Sequence, residues 1–171
     1  YGIQNDEVPL VQFQMNIQGG LLLENIDKVG VSNLLAQLLM RGTATKSPAE
    51  LENAIESLGA RLNVYSGNEE ITISGTTLAK NYDQTTALVQ EILLEPRWDA
   101  TEFELLKQST ASDLQQQLAN PRAIAAKEYA KLVYGKNNIL SQNNLGSTVS
   151  VESITMDDLK AYYTQYISQS I

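Results

Sequence analysis

The chain contains no histidine and no cysteine among its 171 residues. Without imidazole or thiolate it cannot assemble the usual catalytic zinc sites, a Ser-His-Asp or Cys-His arrangement, or an imidazole proton shuttle. Only carboxylate, lysine or tyrosine chemistry remains. A disulfide framework is excluded too, and a cysteine-free chain suits a reducing cytosol and a bacterial periplasm equally. Four prolines and ten glycines are too few for a disordered or low-complexity chain. Basic residues are also outnumbered: 12 Lys and Arg against 20 Asp and Glu give a formal charge of −8. The acidic residues form no run longer than the pairs Asp6-Glu7, Glu69-Glu70 and Asp157-Asp158. No nucleic-acid partner is therefore expected, because that needs clustered Lys and Arg to displace phosphate counterions. Apolar runs stay short, as in Ile92-Leu93-Leu94, against the roughly 20 residues needed to span a bilayer. No membrane span and no signal peptide is read.

What is present is a soluble-type composition, 43% apolar and 19% charged. At this length a single domain, residues 1–171, buries roughly 70% of the surface of its unfolded chain. The chain starts on Tyr1 and runs directly into strand-like sequence. We therefore expect a piece excised from a longer protein, with the last strand, a following domain and any targeting segment lying outside it.

Residues 8–18 alternate, with Val11, Phe13, Met15 and Ile17 on one face and Leu10, Gln12, Gln14, Asn16 and Gln18 on the other. This predicts a half-buried strand. After Gly19-Gly20, residues Val29 to Arg41 predict a helix that is apolar around most of its circumference and so largely buried. Ser47-Pro48-Ala49-Glu50 joins an N-cap, a first-position proline and a capping-box acid, opening a helix that runs to Leu58 before Gly59. Its expected core face is Leu51, Ala54, Ile55 and Leu58. Residues 60–66 and 70–78 predict a hairpin across Gly67-Asn68, with Leu62 and Val64 facing Ile71 and Ile73.

From Asn81 onward the pattern is helical, interrupted at Glu95-Pro96-Arg97-Trp98. Asn81 with Gln84 and Asp99 with Glu102 mark helix starts. The helix from Ala100 ends near Asn120, and Pro121 opens another that stops at Gly135. Residues 136–149 read as an Asn/Ser/Gly-rich loop. Thr155-Met156-Asp157-Asp158 caps a closing helix with Leu159, Tyr162, Tyr163 and Tyr166 in its stripe. The sum is an α+β domain with an antiparallel or mixed sheet and helices packed on one face.

The stretch from Gly30 to Thr43, GVSNLLAQLLMRGT, resembles the inverted zinc-binding helix of the pitrilysin/insulinase-type peptidases, in which H-x-x-E-H leads to a Gly-Thr turn. Arg61-Leu62-Asn63, the hairpin, Glu95 to Trp98, Asn120-Pro121 and the closing helix to Tyr163 look like further landmarks of that family. The resemblance covers nearly the whole chain and implies a metallopeptidase-like fold of the processing-peptidase type. It sets Asn33, Ala36 and Gln37 where the family has its first His, catalytic Glu and second His. Carboxamides are poor zinc donors, and Ala36 offers no base for a metal-bound water. The family's remaining ligand is a Glu on a later helix, eight residues before an Asn-Pro-like turn. Counting back from Pro121 reaches Asp113, which is one methylene shorter.

Family members pair two halves of similar fold, one metal-bearing and one metal-free, around a peptide. The resemblance thus implies a catalytically inactive domain that helps form and close the peptide-binding chamber. No catalytic, cofactor or metal residue is expected in this domain; the zinc is expected in the catalytic half. That half is either part of the same polypeptide or a homologous zinc-bearing subunit, and unstructured peptides are the implied ligands. The phrase Val8-Pro9-Leu10-Val11, with the strand running into Gly19-Gly20, looks more like a bacterial metal-free half than a catalytic one, and a bacterial periplasm or cell envelope is favoured over the cytoplasm. A different class, a stand-alone scaffold or interaction subunit of the same fold, is the alternative.

Each singled-out residue also has a plain structural reading. Asn33 and Gln37 can be ordinary polar positions on a buried helix, and Asp113 an exposed helix face. The closing tyrosines read as core packing for two of the three, and Trp98 as a loop anchor. Neither Gly19-Gly20 nor Gly146-Ser147-Thr148 matches a nucleotide-binding loop.

Overall fold

The computed structural model describes residues 9–168. Val8, Asp6-Glu7 and the start of the chain lie outside the described residues. Strand β1 spans Leu10–Gln18, and two short 3₁₀ turns then lead to helix α1, Val31–Leu39. Helix α2 is Pro48–Ser57, strands β2 and β3 are Arg61–Ser66 and Glu70–Leu78, and helix α3 is Tyr82–Leu94. Helices α4 (Ala100–Gln117), α5 (Pro121–Tyr134), α6 (Thr148–Ser153) and α7 (Met156–Tyr162) follow, and α7 continues into a π-helical turn, Tyr163–Ile167. Among the described residues the sheet is antiparallel, in the order β1-β3-β2, and the α+β expectation holds.

Local chemistry explains most boundaries. At α2 the Ser47 hydroxyl accepts from the Glu50 N–H while the Glu50 carboxylate accepts from the Ser47 N–H at 2.8 Å, a reciprocal cap. Asp99 accepts from Thr101 and Glu102 N–H to start α4, and Asn120 with Pro121 starts α5. Thr155 and Asp158 cap α7 reciprocally. Asn81 behaves differently: it precedes α3 but makes no side-chain cap, because its amide donates to the Leu58 carbonyl at 2.8 Å.

Two expectations need correction. The hairpin turns on Asn68-Glu69, closed by the Gly67 N–H to the Glu70 carbonyl at 2.8 Å, so Val64 pairs with Ile73 but Leu62 pairs with Gly75 and Ile71 with Ser66. A two-residue shift keeps every side chain on its face. Residues 136–149 are also not all loop. A 3₁₀ turn forms at Ile139–Ser141, and α6 begins at Thr148 under a Ser147/Ser150 capping box.

Helices cover one face of the sheet. The core gathers Ile17, Leu62, Ile71 and Ile73 from the strands with Leu34, Leu35, Leu39, Leu88, Ile92 and Leu159 from the helices. In α2 only Leu51 is buried; Ala54, Ile55 and Leu58 pack against the core partly covered. Gly75 is required by this packing: a Cβ there would meet the Phe13 ring at 2.2 Å and Leu62 at 2.8 Å.

Candidate functional site

Helix α1 is the scaffold of the candidate site, and it is anchored at both ends. Val31, Leu34, Leu35, Leu38 and Leu39 are buried along with Ser32 and Ala36, as the sequence pattern predicted. At the N-terminal end the Glu24 carboxylate accepts from the Gly30 N–H at 2.7 Å and the Ser32 N–H at 2.6 Å. These are the otherwise orphaned donors of the first turn. Burial pushes the Glu24 carboxyl above its usual range, opposed by hydrogen bonds from Ser32 and Gly30. The Ser32 and Ser66 hydroxyls meet at 2.7 Å, tying α1 to β2.

At the other end, the turn after α1 contains Thr43, which is fully buried. Glu91 of α3 gathers this turn: it accepts from Lys46 Nζ at 2.6 Å, from the Thr43 hydroxyl at 2.5 Å and from the Thr45 hydroxyl. The Lys46 bond, followed by those of Thr43 and Thr45, holds the Glu91 carboxyl down to about 2.

Asn33 and Gln37 lie one turn apart on the half-buried stripe of α1, so the two positions share a face. Ala36 beside them is 1% exposed. The Asn33 Nδ2 is buried and has no hydrogen-bond partner among the described residues. Asp113 sits on α4, a helix that packs against α1, but its side chain is exposed beside the inward-facing Thr110 and Leu114. The donor set that these positions offer is two carboxamides, a methyl and an exposed carboxylate. It does not fit zinc, and the orphaned atom at Asn33 is an N–H donor that would face a cation with the wrong polarity.

The tyrosines of the closing helix are anchors. Tyr162 donates to the Gly20 carbonyl at 3.1 Å, and burial pushes its hydroxyl pKa upward. Tyr163 donates to the Leu93 carbonyl at 2.6 Å. Trp98, with φ of 53°, stacks edge-on against Tyr163 at 5.3 Å, which makes it a loop anchor.

Two concave surfaces flank the strands, and the sequence pattern did not reveal either. A cleft of about 520 Å³ runs between the C-terminal end of α1, α2 and β2, with Met40, Leu51, Ile55 and Leu62 below and Arg41 and Glu52 at its sides. A second hollow of about 440 Å³ lies on the helix-free face of the sheet, over Ser74 and Thr76. The alternation of β1 signals a polar outer face, but the hollow depends on cross-strand register.

Comparison with known proteins places these features in a family. Residues 3–143 match the model "Insulinase (Peptidase family M16)". The human mitochondrial-processing peptidase subunit beta is 25% identical over 150 residues, covering 88% of this chain and 30% of the relative. "Non-peptidase homolog YmxG" of Helicobacter pylori is 24% identical over 162 residues, 95% of this chain and 37% of that one. The chain thus spans about a third of the length of these relatives. Among solved structures, a peptidase M16 inactive domain from Pseudomonas fluorescens superposes with a TM-score of 0.87 at 22% identity, over 94% of this chain and 39% of its own. A protease from Helicobacter pylori gives 0.83 at 17% identity, over 91% of this chain and 39% of its own. These superpositions establish the same α+β fold.

Proposed function

The chain belongs to the insulinase (peptidase M16) family, and from that premise we propose that it is a catalytically silent domain forming one wall of a peptide-binding chamber. The observation that carries this reading is the state of α1. The helix keeps its buried packing and both anchors, while the positions that the resemblance assigns to zinc ligands and base are Asn33, Gln37 and Ala36. Zinc, where it acts, would be held by a catalytic half on the same polypeptide or on a homologous subunit. Two similar proteins, a non-peptidase homolog and a peptidase M16 inactive domain, support the same direction. The outer edge of β2, beside the cleft under Arg41, is a candidate edge for strand addition by an extended peptide.

The test is metal analysis of the purified chain together with cleavage of an unstructured peptide, with and without chelator. The expected outcome is substoichiometric zinc and no cleavage by the chain alone. Stoichiometric zinc with chelator-sensitive cleavage would overturn the reading.

A further inference from the structure

Helix α5 differs from the other α-helices of the fold in that none of its 14 residues, Pro121–Tyr134, is buried. A helix of this length is marginal in water without a packed face. Its first turns form one side of a recess of about 140 Å³ that they share with the C-terminal end of α4 and the segment leading into α6. Leu114, Leu118, Ala123 and Ile124 make the apolar wall, and Leu118 and Ile124 remain 66% and 45% exposed. Gln117, Asn143 and Thr148 make the polar wall. That wall is braced, since Asn143 Nδ2 donates to Gln117 Oε1 at 2.6 Å and Asn143 Oδ1 accepts from the Leu145 N–H at 3.0 Å.

Size and charge limit what the recess takes. Pockets for cofactors and drug-sized molecules hold roughly 300–1,000 Å³, whereas a cavity of about 150 Å³ takes a group the size of benzene. One aliphatic side chain therefore fills this recess. Lys127 is the one charged residue among those that line it. Its ammonium makes no hydrogen bond or ion pair among the described residues, and the neighbouring Glu128 carboxylate pairs with Lys131 at 2.6 Å. Residues 121–136 hold four basic residues and one acidic one, a local charge of +3 in a chain of −8. The complement is a branched apolar group with a carboxylate beside it. The Gln117 amide nitrogen, which makes no hydrogen bond among the described residues, adds a donor for a peptide carbonyl.

We propose that this recess binds the C-terminal residue of a peptide where that residue is aliphatic. The side chain fills the apolar wall, Lys127 meets the terminal carboxylate, and Gln117 bonds the last peptide group. A chain end joins an aliphatic group and a carboxylate on one Cα, the compact arrangement that a recess of this size admits. An anionic bilayer is the poorer match, because it offers no side chain to a recess and the negative charge of the whole chain opposes its approach. The proposal goes beyond the chamber-wall reading and does not depend on it, so the failure of one leaves the other standing.

The experiment titrates the ¹³C-methyl-labelled chain with N-acetyl-leucine, N-acetyl-leucinamide and N-acetylglycine and follows the methyl signals of Leu114, Leu118, Ala123 and Ile124. N-acetyl-leucine is expected to shift these signals. The amide should bind about two- to fivefold more weakly through loss of one exposed charge pair, and N-acetylglycine should give no response. Ala123→Leu, which fills the recess from a helix with no buried residue, should abolish the response, and Lys127→Gln should bind acid and amide equally. The core methyls of Leu34 and Ile73 report that each variant stays folded. Equal binding of acid and amide by the parent chain, a response to N-acetylglycine of the same size, or no response to N-acetyl-leucine would overturn the proposal. Phosphatidylglycerol vesicles that shift the same methyls when N-acetyl-leucine does not would assign the recess to a lipid surface instead. Self-association that does so would assign it to a second copy of the chain.

Discussion

Replacing Glu91 by Gln tests how the turn after α1 is held. The carboxylate collects Lys46 and the hydroxyls of Thr43 and Thr45, and the neutral amide keeps the shape but loses the charge. Lowering a carboxyl from 4.5 to about 2 is equivalent to at most roughly 3 kcal/mol of folding stability at neutral pH. The Glu91 and Lys46 side chains are 20% and 30% exposed, so solvent screening reduces this to ~2 kcal/mol. The sign follows from a folded pKa below the unfolded one. The stabilisation is complete above about pH 4.5 and is lost as pH falls toward 2. Urea unfolding monitored by circular dichroism should therefore find Glu91→Gln less stable by ~2 kcal/mol at pH 7, by ~1 kcal/mol at pH 3, and equal to the parent near pH 2. A gap of the same size at pH 7 and pH 3 would refute the reasoning, because it would place the effect in shape rather than charge.

Three further outcomes follow from the packing. Gly75→Ala, whose new methyl meets Phe13 and Leu62, should cost about 1–3 kcal/mol by overpacking, read as a drop of several degrees in thermal midpoint. Tyr162→Phe removes one of two donors to the buried Gly20 carbonyl, the Leu23 N–H remaining, and should cost about 0.5–1.5 kcal/mol, with little change in the circular dichroism spectrum. Asn33→Leu removes an amide whose nitrogen is buried without a partner among the described residues; urea unfolding should find it neutral or up to ~1 kcal/mol more stable. A loss above about 2 kcal/mol would mean that Asn33 has a polar partner in solution.

What could be read from the sequence was local. The caps at Ser47, Asp99, Asn120 and Thr155 each depend on residues within three positions, and all four helices start there. The hairpin register was not readable in this way. The turn is placed by Gly19, Leu21 and Leu22, whose N–H groups bond the carbonyls of Glu69, Gly67 and Asn68, and no residue inside the hairpin announces them. Helix α6 was missed for a similar reason. Its sequence, TVSVES, is poor in strong helix formers, yet Val151 is 1% exposed in the core and Lys107 Nζ binds the Glu152 and Ile154 carbonyls at its end. At Gly146, which leads into it with φ of 84°, a Cβ would lie 2.2 Å from the Val29 carbonyl oxygen. The hollow over Ser74 and Thr76 was hidden because cross-strand neighbours exist only once the register is known. The positions Asn33, Ala36, Gln37 and Asp113 came from resemblance, and the structure adds their surroundings: two half-buried amides, a buried methyl and an exposed carboxylate.

Those surroundings bear on which side chains such a helix tolerates. The residues that pack α1 and the carboxylates that fix its ends, Glu24 and Glu91, form a set that excludes Asn33 and Gln37. Changing side chains on that half-buried stripe therefore removes little core contact. Ala36 is a separate case, being 1% exposed. A carboxylate at so covered a position costs several kcal/mol unless a metal, a cation or hydrogen-bond donors compensate it. With amides at positions 33 and 37 no ligand pair is present to hold a compensating metal there, and Asn33 Nδ2, buried without a hydrogen-bond partner among the described residues, is a single neutral donor. Stability alone then favours a small apolar residue at 36 wherever positions 33 and 37 do not hold a metal.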